Sequence, residues 1–519
     1  MKKLNIIYLL LVVAGFSFTS CNDYLEETSQ DLSYINSLDD LDELLLGEVY
    51  LQRTTSVRVS DATGTYLPYV HFMADELDHV TDAAYQSGIY PNSAIDLFGY
   101  YTWQRQVSLG IDGSNVYDDA LDWTRIYKCI VSANVVLDEL DKLQAKDEEA
   151  KMQARRIKGE ALFNRATDFF LLVNLFGDAY QPALADQTLG IPLKLTSYTE
   201  IGAFKRANLK DVYAQILSDL NSAEEALRDI PQQSIYRINH AGICLFLSRV
   251  YLYMQDYDNA IVWAQKCLDE APEVEDLNSF ATNLFSEENR SVLFSMGGNI
   301  IAENIFEYDP WGTGPEFGTG QFIVGSELYN SFADNDLRKT NFFHINDMYP
   351  GIPLYDKQYS DGMSSHTELS DCFTLRTAEA WLNLAEAYAV KGETMNAQAA
   401  IESLLKNRIE ISSFESVAQT GTELVSFIRD ERRKELCMEG HRWFDLRRYQ
   451  ANTAYPQTKT LYSSAVVKLG YYDLVRVDYY KLEPNDPAWT LPLPVYESEY
   501  NASEGNERNA REPYDSVNY

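Results

Sequence analysis

The chain has 519 residues, of which 45% are hydrophobic, so it can bury a sizeable core and is not a disordered chain. Its formal net charge of −35 would repel phosphate backbones and anionic lipid head groups, which argues against nucleic-acid binding. Tyrosine is abundant, at 36 residues, and its apolar face beside a hydroxyl suits amphipathic ligands such as sugars.

Residues 1–20 have the pattern of a targeting segment. Lys2 and Lys3 precede an apolar run that is too short to span a membrane comfortably. Small residues just before Cys21 indicate a lipoprotein cleavage site with Cys21 as the acylated residue; the alternative is an ordinary secretory signal. Several acyl chains on one cysteine would give a stable membrane anchor. No later apolar run is long enough to cross a bilayer.

Helical periodicity dominates the chain that follows. An acidic stretch, residues 22–27, predicts an extended tether, and apolar residues then recur at three- and four-residue intervals in residues 37–50, 123–143 and 155–178. Gly177 is expected to end the third helix, because the sequence beyond it contains Pro182 and a segment, LGIPLKL, that is too rich in Gly and Pro to continue as helix.

Two segments repeat the pattern of a pair of antiparallel helices. Residues 241–272 and 379–405 place small and aromatic side chains at the offsets of a tetratricopeptide unit of about 34 residues. Two helices approach closely only where small side chains face each other, while aromatics fill the adjacent gaps. The pattern is carried by Leu247, Ser248, Tyr251, Ala260, Ala264 and Pro272, by Trp381, Leu384, Ala385, Tyr388 and Ala397, and by a weaker echo at Leu162, Ala166 and Phe169.

Long insertions must interrupt these repeats, at about residues 51–122 and 273–371. Long loops inside a compact domain are usually functional or disordered, and the many aromatics here argue against disorder. Tyr308, Trp311 and Phe317 stand among glycines, so their rings are expected to project from a loop; the alternative is that Trp311 fills a hydrophobic hole.

The cysteines indicate neither a zinc site nor a disulfide framework. Apart from Cys21 their number is odd, and they are scattered without CxxC spacing. We interpret them as small buried hydrophobic residues, most clearly Cys244 and Cys267, which fall on apolar helical faces. The set comprises Cys129, Cys244, Cys267, Cys372 and Cys437.

The stretch RDERRKELCMEGHRWFDLRRY, residues 429–449, looks helical in its first half and is dense in charge. A general acid or base pair needs carboxylates kept away from quenching cations, whereas every acid here has a base within reach. Helical spacing would bring Glu435 beside Arg432, and the arginines are expected to form bidentate pairs and to cap carbonyls. Gly440 should break the helix, with Trp443 and Phe444 anchoring a turn and His441 a hydrogen-bonded packing residue.

This stretch resembles the signature of the SusD/RagB family of outer-membrane nutrient-binding lipoproteins. The resemblance extends to Cys21 and the acidic residues that follow it, to the helices at 123–140 and 160–178, and to Leu491–Pro494 with Glu499 and Asn501 after it. It implies an all-α, mainly α-helical fold in which tetratricopeptide-like repeats, four in the family, form a scaffold with loop-rich insertions and at most minor β-structure.

The resemblance also implies an organisation and a function. Residues 1–20 would be a lipoprotein signal peptide, and residues 21–230 and 231–519 the N-terminal SusD-like and C-terminal RagB/SusD parts, interleaved in one globular unit. Family members bind glycans, or peptides in some branches, on the cell surface without catalysis and pass them to a SusC-like TonB-dependent transporter. The helical repeats would dock on the transporter, and Asp23, Glu26 and Glu27 resemble a surface-export signal.

A saccharide site requires aromatic faces for the C–H patches of the ring, flanked by polar groups for the hydroxyls. Our candidates are Trp311, Tyr308 and Phe317 from the second insertion and Tyr85 and Tyr90 from the first; Trp103 and Trp123 are assigned to the core. No cofactor is indicated, and no dense carboxylate loop suggests an EF-hand calcium site.

Two other functions were compatible with the sequence. A surface glycoside hydrolase would need two carboxylates facing one cleft about 5 to 10 Å apart, which sequence does not exclude. A pure scaffold would bind protein through its repeats and use the aromatic insertions only as core.

Overall fold

The computed structural model describes residues 35–50, 67, 69–79, 97–116, 118–200, 204–279, 284–297, 322–345, 353–355, 357, 369, 373–469, 473–500 and 505–518. The helices are α1 (Leu38–Leu44), continued by a π-helical turn (Leu45–Val49), α2 (Tyr69–Phe72), α3 (Phe98–Tyr101), α4 (Leu121–Leu140), α5 (Glu148–Phe176), α6 (Leu209–Leu227), α7 (His240–Tyr253), α8 (Tyr257–Glu270), α9 (Ser326–Asn330), α10 (Arg338–Asn341), α11 (Thr377–Val390), α12 (Thr394–Leu405), α13 (Gly421–Glu435), α14 (Arg442–Gln450) and α15 (Val495–Tyr500).

The strands are short apart from one hairpin. They are β1 (Leu77–His79), β2 (Leu189–Pro192), β3 (Arg206–Asn208), β4 (Val292–Phe294), β5 (Phe322–Val324), β6 (Phe343–Ile345), β7 (Pro353–Tyr355), β8 (Leu375–Arg376), β9 (Leu461–Leu469), β10 (Asp473–Leu482) and β11 (Asp515–Asn518). Among the described strands, β9, β10 and β11 form a three-stranded antiparallel sheet, and the others pair in twos as β1–β5, β2–β3, β4–β8 and β6–β7.

The long helices pack as a stack in which each contacts the next. α4 lies against α5, α5 against α6, α7 against α8, α8 against α11, and α11 against α12. The three helices expected from periodicity are present, and α5 ends at Phe176 with Gly177 as its C-cap, as the sequence predicts. α5 and α6 approach so closely that a Cβ on Gly159 would lie 2.5 Å from the Leu227 side chain.

Both clear repeat units form the expected helical hairpins. In α7 and α8, the small residues Ser248, Ala260 and Ala264 are fully buried, and the Ser248 hydroxyl donates to the Ala260 carbonyl at 3.0 Å. Asn239 caps α7 by accepting the Gly242 N–H at 2.7 Å. The family expectation of a tetratricopeptide-like helical fold is therefore confirmed.

The second hairpin, α11 and α12, turns on a glycine. Ala385 and Ala397 are buried between the helices, and Gly392 in the turn has φ of +80°, a conformation that suits glycine. Gly440 has a similar φ of +81°, but there a Cβ would also lie 2.9 Å from the Phe373 ring. Glycine at 440 thus permits both the turn and the close packing of the Phe373 ring.

The described cysteines and two tryptophans are buried as predicted, whereas Cys372 lies outside the described residues. Cys129, Cys244, Cys267 and Cys437 are free and buried, and Trp103 and Trp123 lie in the core. In the part of the chain that the structure describes, no group of three or more His, Cys, Asp or Glu side chains could hold a metal ion. Within that same part, no helix combines the length and apolar character of a membrane span.

Candidate functional site

A two-stranded ladder joins the two insertions. β1, in the first insertion, pairs antiparallel with β5, in the second, with Leu77 opposite Val324 and His79 opposite Phe322. In the first insertion the described residues end at His79, before a gap that runs to residue 96, and in the second they resume at Phe322, after a gap that begins at residue 298. Residues 80–96 therefore begin beside the point at which residues 298–321 end.

The five aromatic candidates and Cys21 lie outside the described residues, so their assignment remains a prediction; the aromatics are Tyr85, Tyr90, Tyr308, Trp311 and Phe317. Tyr85 is six residues after His79, and Phe317 is five residues before Phe322. An extended chain spans at most about 3.5 Å per residue, so covalent connection keeps both within about 20 Å of the ladder. A candidate from each insertion is thus joined to the ladder by a short stretch of chain.

Aromatic packing fixes the ladder on the helical scaffold. The Phe322 ring meets the Phe72 ring edge-on at 4.7 Å between centroids and the Tyr101 ring at 5.4 Å. The buried Trp103 indole donates to the Met73 carbonyl at 3.1 Å. The segment that leads into β1 is thereby held from both sides.

Ion pairs also hold the segment that leads into β1. The Asp75 carboxylate, which is 10% exposed, accepts two bonds from Arg442, at 2.6 and 2.9 Å, and lies 3.1 Å from Arg433 and 2.6 Å from Lys459. Burial opposes ionisation, yet Arg442 and Arg433 hold the pKa of Asp75 well below its usual range. Arg433 and Lys459 also bind Glu327, at 2.8 and 2.5 Å. These cations therefore tie one insertion to the other.

The environment of the neighbouring Glu76 shifts its pKa in the opposite direction to that of Asp75. Its Oε1 accepts the Met438 N–H at 3.2 Å, and its carbonyl accepts the Gly325 N–H at 2.7 Å. Burial, together with the charge on Asp75, raises the pKa of Glu76 to about 7. This carboxyl is enclosed by the fold and does not face an open cleft.

The signature stretch anchors the end of the second insertion through two buried carboxylates. Glu435 accepts bonds from Arg408 at 2.8 and 3.0 Å and from Arg376 at 3.1 Å. Glu439 accepts bonds from Arg376 at 2.6 and 2.9 Å and from Lys357 at 2.6 Å. Burial opposes ionisation, but the surrounding arginines hold the pKa of Glu435 well below its usual range.

The expectation that Glu435 pairs with Arg432 on the same helix is wrong. Arg432 binds Asp445 at 2.9 Å and Glu379 at 3.3 Å, both on other helices. Glu435 is buried at the end of α13, where cations from distant segments reach it and a neighbour along the helix does not. The structural interpretation of the acids and arginines is nonetheless confirmed for four acids of the stretch, because Glu431, Glu435, Glu439 and Asp445 are each buried against a buried arginine.

The remaining arginines of the stretch act as the sequence predicts. Arg448 and Arg429 both bind the buried Glu386, at 2.7 and 3.1 Å. Arg447 donates to the carbonyls of Asn174 and Gly177, so it caps the end of α5. The stretch is therefore a structural base beneath the insertions.

Two details of the stretch differ from expectation. Trp443 and Phe444 lie in α14 and not in a turn, and the Trp443 ring stacks on Trp489 with centroids 5.0 Å apart. His441 is a packing residue, as predicted, but its Nε2 has no hydrogen-bond partner among the described residues. Burial lowers the pKa of His441 to about 4, so the ring is neutral at physiological pH.

Two cavities open elsewhere on the described surface. One, of about 490 Å³, lies where the ends of α5 and α14 meet the 505–507 segment; it is polar, and its carboxylates include Asp178 and Asp486. Asp178 accepts the Thr490 hydroxyl at 2.6 Å, and Asp486 pairs with Arg511 at 2.8 Å. The other, of about 260 Å³, is lined by Trp123, Tyr127, Phe204, Tyr496 and other residues.

Sequence reasoning missed the residues that hold the ladder. Asp75, Lys459 and Glu327 carry no motif, and they are far apart in sequence. The sequence contained one relevant signal, the density of arginine in the signature stretch. Buried arginines need carboxylate partners, so carboxylates from elsewhere in the chain must pack against this stretch.

Comparisons with family models and with known proteins agree on one family. Residues 24–252 match a SusD-like family model described as starch-binding and associating with the outer membrane, and residues 329–511 match the SusD family model. SusD-like protein P25 of Formosa agariphila is 23% identical over 513 residues, covering 86% of this chain and 90% of that protein.

Solved structures share the fold. A SusD superfamily protein from Bacteroides thetaiotaomicron is 21% identical, with a TM-score of 0.69 and coverage of 91% of this chain and 100% of that one. A putative sugar binding protein from Bacteroides vulgatus is 22% identical, with a TM-score of 0.68 and coverage of 92% and 99%. With SusD models matching most of its length and this fold in common, the chain belongs to the SusD/RagB family.

Proposed function

We propose that the protein is a cell-surface glycan-binding lipoprotein that captures oligosaccharide or polysaccharide without catalysis and delivers it to a SusC-like TonB-dependent outer-membrane transporter. The ligand is held by aromatic side chains of the two insertions, with Trp311 and Tyr308 on one and Tyr85 and Tyr90 on the other. Phe317 completes the set on the second insertion.

The single observation that carries this proposal is the pairing of His79 with Phe322. It brings two insertions that are far apart in sequence, both rich in aromatics, to one edge of the scaffold. Aromatic faces presented together are what a saccharide ring requires. The described surface there rests on buried ion pairs and packed rings, a rigid support that suits a binding site.

The names of similar proteins support the same ligand class. One matching family model is described as starch-binding, and two structural neighbours from Bacteroides vulgatus are named as a putative sugar binding protein and a SusD-like carbohydrate binding protein. A net charge of −35 also favours neutral ligands over polyanions.

Replacing Trp311 with alanine tests the capture site. If its ring covers a sugar, Trp311→Ala should weaken oligosaccharide binding by about tenfold or more, the size of a lost aromatic contact with its buried area. Calorimetry against oligosaccharides of starch, xylan, laminarin and levan gives the affinity, and thermal unfolding gives the stability.

Tyr198→Ala is the matched control, because Tyr198 is 65% exposed and remote from both insertions in sequence. It should leave affinity and melting temperature unchanged. If Trp311→Ala lowers the melting temperature but not the affinity, Trp311 is a core residue and the capture site is wrong. Sugar release on incubation would point to a hydrolase, and binding of peptides alone would point to the peptide-binding branch.

We propose that a lipid on Cys21 attaches the protein to the outer face of the outer membrane. The small residues before Cys21 and the outer-membrane description of the family model support this location. Cys21→Ser should abolish incorporation of labelled palmitate and release the protein from the membrane fraction. If labelling is unchanged, the lipid is not on Cys21 and this proposal is wrong.

A further inference from the structure

Three tyrosines form a surface cluster on the sheet of β9, β10 and β11. The Tyr514 ring lies between the other two, 6.2 Å from the Tyr462 centroid and 6.5 Å from the Tyr479 centroid. Tyr462 is 66% exposed and Tyr514 is 50% exposed. We call Tyr462, Tyr479 and Tyr514 the tyrosine platform.

The platform is held rigidly although its rings are open to solvent. Tyr479 lies in β10, opposite Ser464 of β9 and Asp515 of β11. The Tyr514 N–H donates to the Tyr479 carbonyl at 2.8 Å. Single exposed aromatics are common on protein surfaces, but two exposed rings and a half-buried one, gathered around Tyr514 on a hydrogen-bonded sheet, form a preorganised apolar surface.

Charged groups border the rings: an ion pair of Lys481 with Glu483, and the carboxylate of Asp515, which is opposite Tyr479 in the ladder. The Lys481 ammonium lies 5.9 Å from the Tyr514 ring centre and pairs with Glu483 at 2.6 Å. Glu483 also accepts the Thr460 hydroxyl at 2.9 Å. Ring faces, phenol hydroxyls and a neutral ion pair suit a neutral polyhydroxylated ligand, whereas a polyanion would meet the acidic field of the whole protein.

The platform lies next to the ladder from which the insertions emerge. β9 packs against β1. Lys459, which binds Asp75 of the first insertion at 2.6 Å and Glu327 of the second at 2.5 Å, is only three residues before Tyr462. An extended chain covers that interval in about 10 Å, so the platform begins close to the base of the capture site.

We infer that the tyrosine platform is a second saccharide-binding surface, which holds a neutral polysaccharide chain whose end or neighbouring segment occupies the capture site. This inference rests on the proposed function, since it extends the same ligand beyond the insertions. Two surfaces on one chain raise affinity only for ligands long enough to reach both. Short oligosaccharides therefore do not use the platform.

The test compares ligands of two lengths on the full chain. For a double variant, Tyr462→Ala with Tyr514→Ala, we expect affinity for polysaccharide to fall about tenfold, as two lost ring contacts would give. Affinity for the matching short oligosaccharide should stay within about twofold. The probes are soluble starch, xylan, laminarin and levan, each with its short oligosaccharides, in affinity electrophoresis and calorimetry.

The control is Tyr198→Ala, which removes a tyrosine of similar exposure from a different part of the fold. It should bind both ligand lengths as the unchanged protein does. If the double variant and the unchanged protein bind polysaccharide equally well, the platform is not a saccharide-binding surface. The capture site is not affected by that result, because the Trp311→Ala variant tests it separately. A change in oligomeric state instead of affinity would also overturn the platform, in favour of a protein contact. Failure of the unchanged protein to bind any saccharide would overturn both proposals.

Discussion

Glu435→Gln is expected to lower the free energy of unfolding by about 3–5 kcal/mol. Its carboxylate is fully buried and accepts bonds from Arg408 and Arg376. Glutamine keeps the shape but removes the charge, so Arg408 would remain buried without its carboxylate partner and would keep only neutral acceptors, the carbonyls of Glu275 and Asn407 and the new amide oxygen, as hydrogen-bond partners. A buried cation without its counter-charge is among the most destabilising changes a core can suffer.

Urea-induced unfolding, followed by circular dichroism, gives the free energy of each variant. Glu423→Gln is the matched control, because Glu423 lies in the first turn of the same helix but is exposed. It should cost less than about 1 kcal/mol. Equal losses for the two variants would mean that the buried pairs of the signature stretch do not support the fold.

Glu76→Gln is expected to stabilise the protein by about 3 kcal/mol near pH 8. The pKa of Glu76 is raised from 4.5 to about 7 by burial and by the charge on Asp75. The folded state therefore binds the proton more tightly than the unfolded state, and stability falls as the pH rises through that interval. Glutamine mimics the protonated form and keeps an oxygen that can accept the Met438 N–H.

The pH dependence identifies the cause. The advantage of Glu76→Gln should shrink to about 1 kcal/mol near pH 5, where the native carboxyl is mostly protonated in the folded state. Asp75→Asn is the control, with an effect on stability of opposite sign. Asp75 pairs with Arg442, Arg433 and Lys459, so loss of its charge should destabilise the protein. If the advantage of Glu76→Gln does not change between these pH values, Glu76 is ionised in the fold throughout.

The helical scaffold could be predicted because its signals are local. Small residues such as Ser248 and Ala264 recur at helix-pair offsets, and Gly177 marks the end of α5 within one residue. Buried residues such as Trp123 and Cys244 were placed correctly for the same reason, since their neighbours in sequence are their neighbours in the helix. Periodicity of this kind needs no knowledge of distant segments.

The base of the candidate site could not be predicted, because its contacts are distant in sequence. His79 pairs with Phe322, and Asp75 pairs with Arg442, and no local pattern links either pair. The one ion pair expected from helical spacing, Arg432 with Glu435, is wrong because buried charges select partners across the fold. The tyrosine platform was missed because strand alternation in β9 and β10 was not recognised in a chain dominated by helical periodicity.

These contacts connect the signature stretch to function. Arg433 and Arg442 hold the segment before β1, while Glu435 and Glu439 hold the chain around Lys357 and Arg376 at the other end of the second insertion. A stretch that is dense in charge is thus the support to which both insertions are attached.

A crystal structure of the protein with a bound oligosaccharide, chosen by calorimetry, tests the central claim most directly. We expect the sugar to lie beside the β1–β5 ladder and to contact Trp311 of one insertion together with Tyr85 or Tyr90 of the other. A sugar bound away from both insertions, or rings of both insertions sealed beneath the surface, would contradict capture by paired loops.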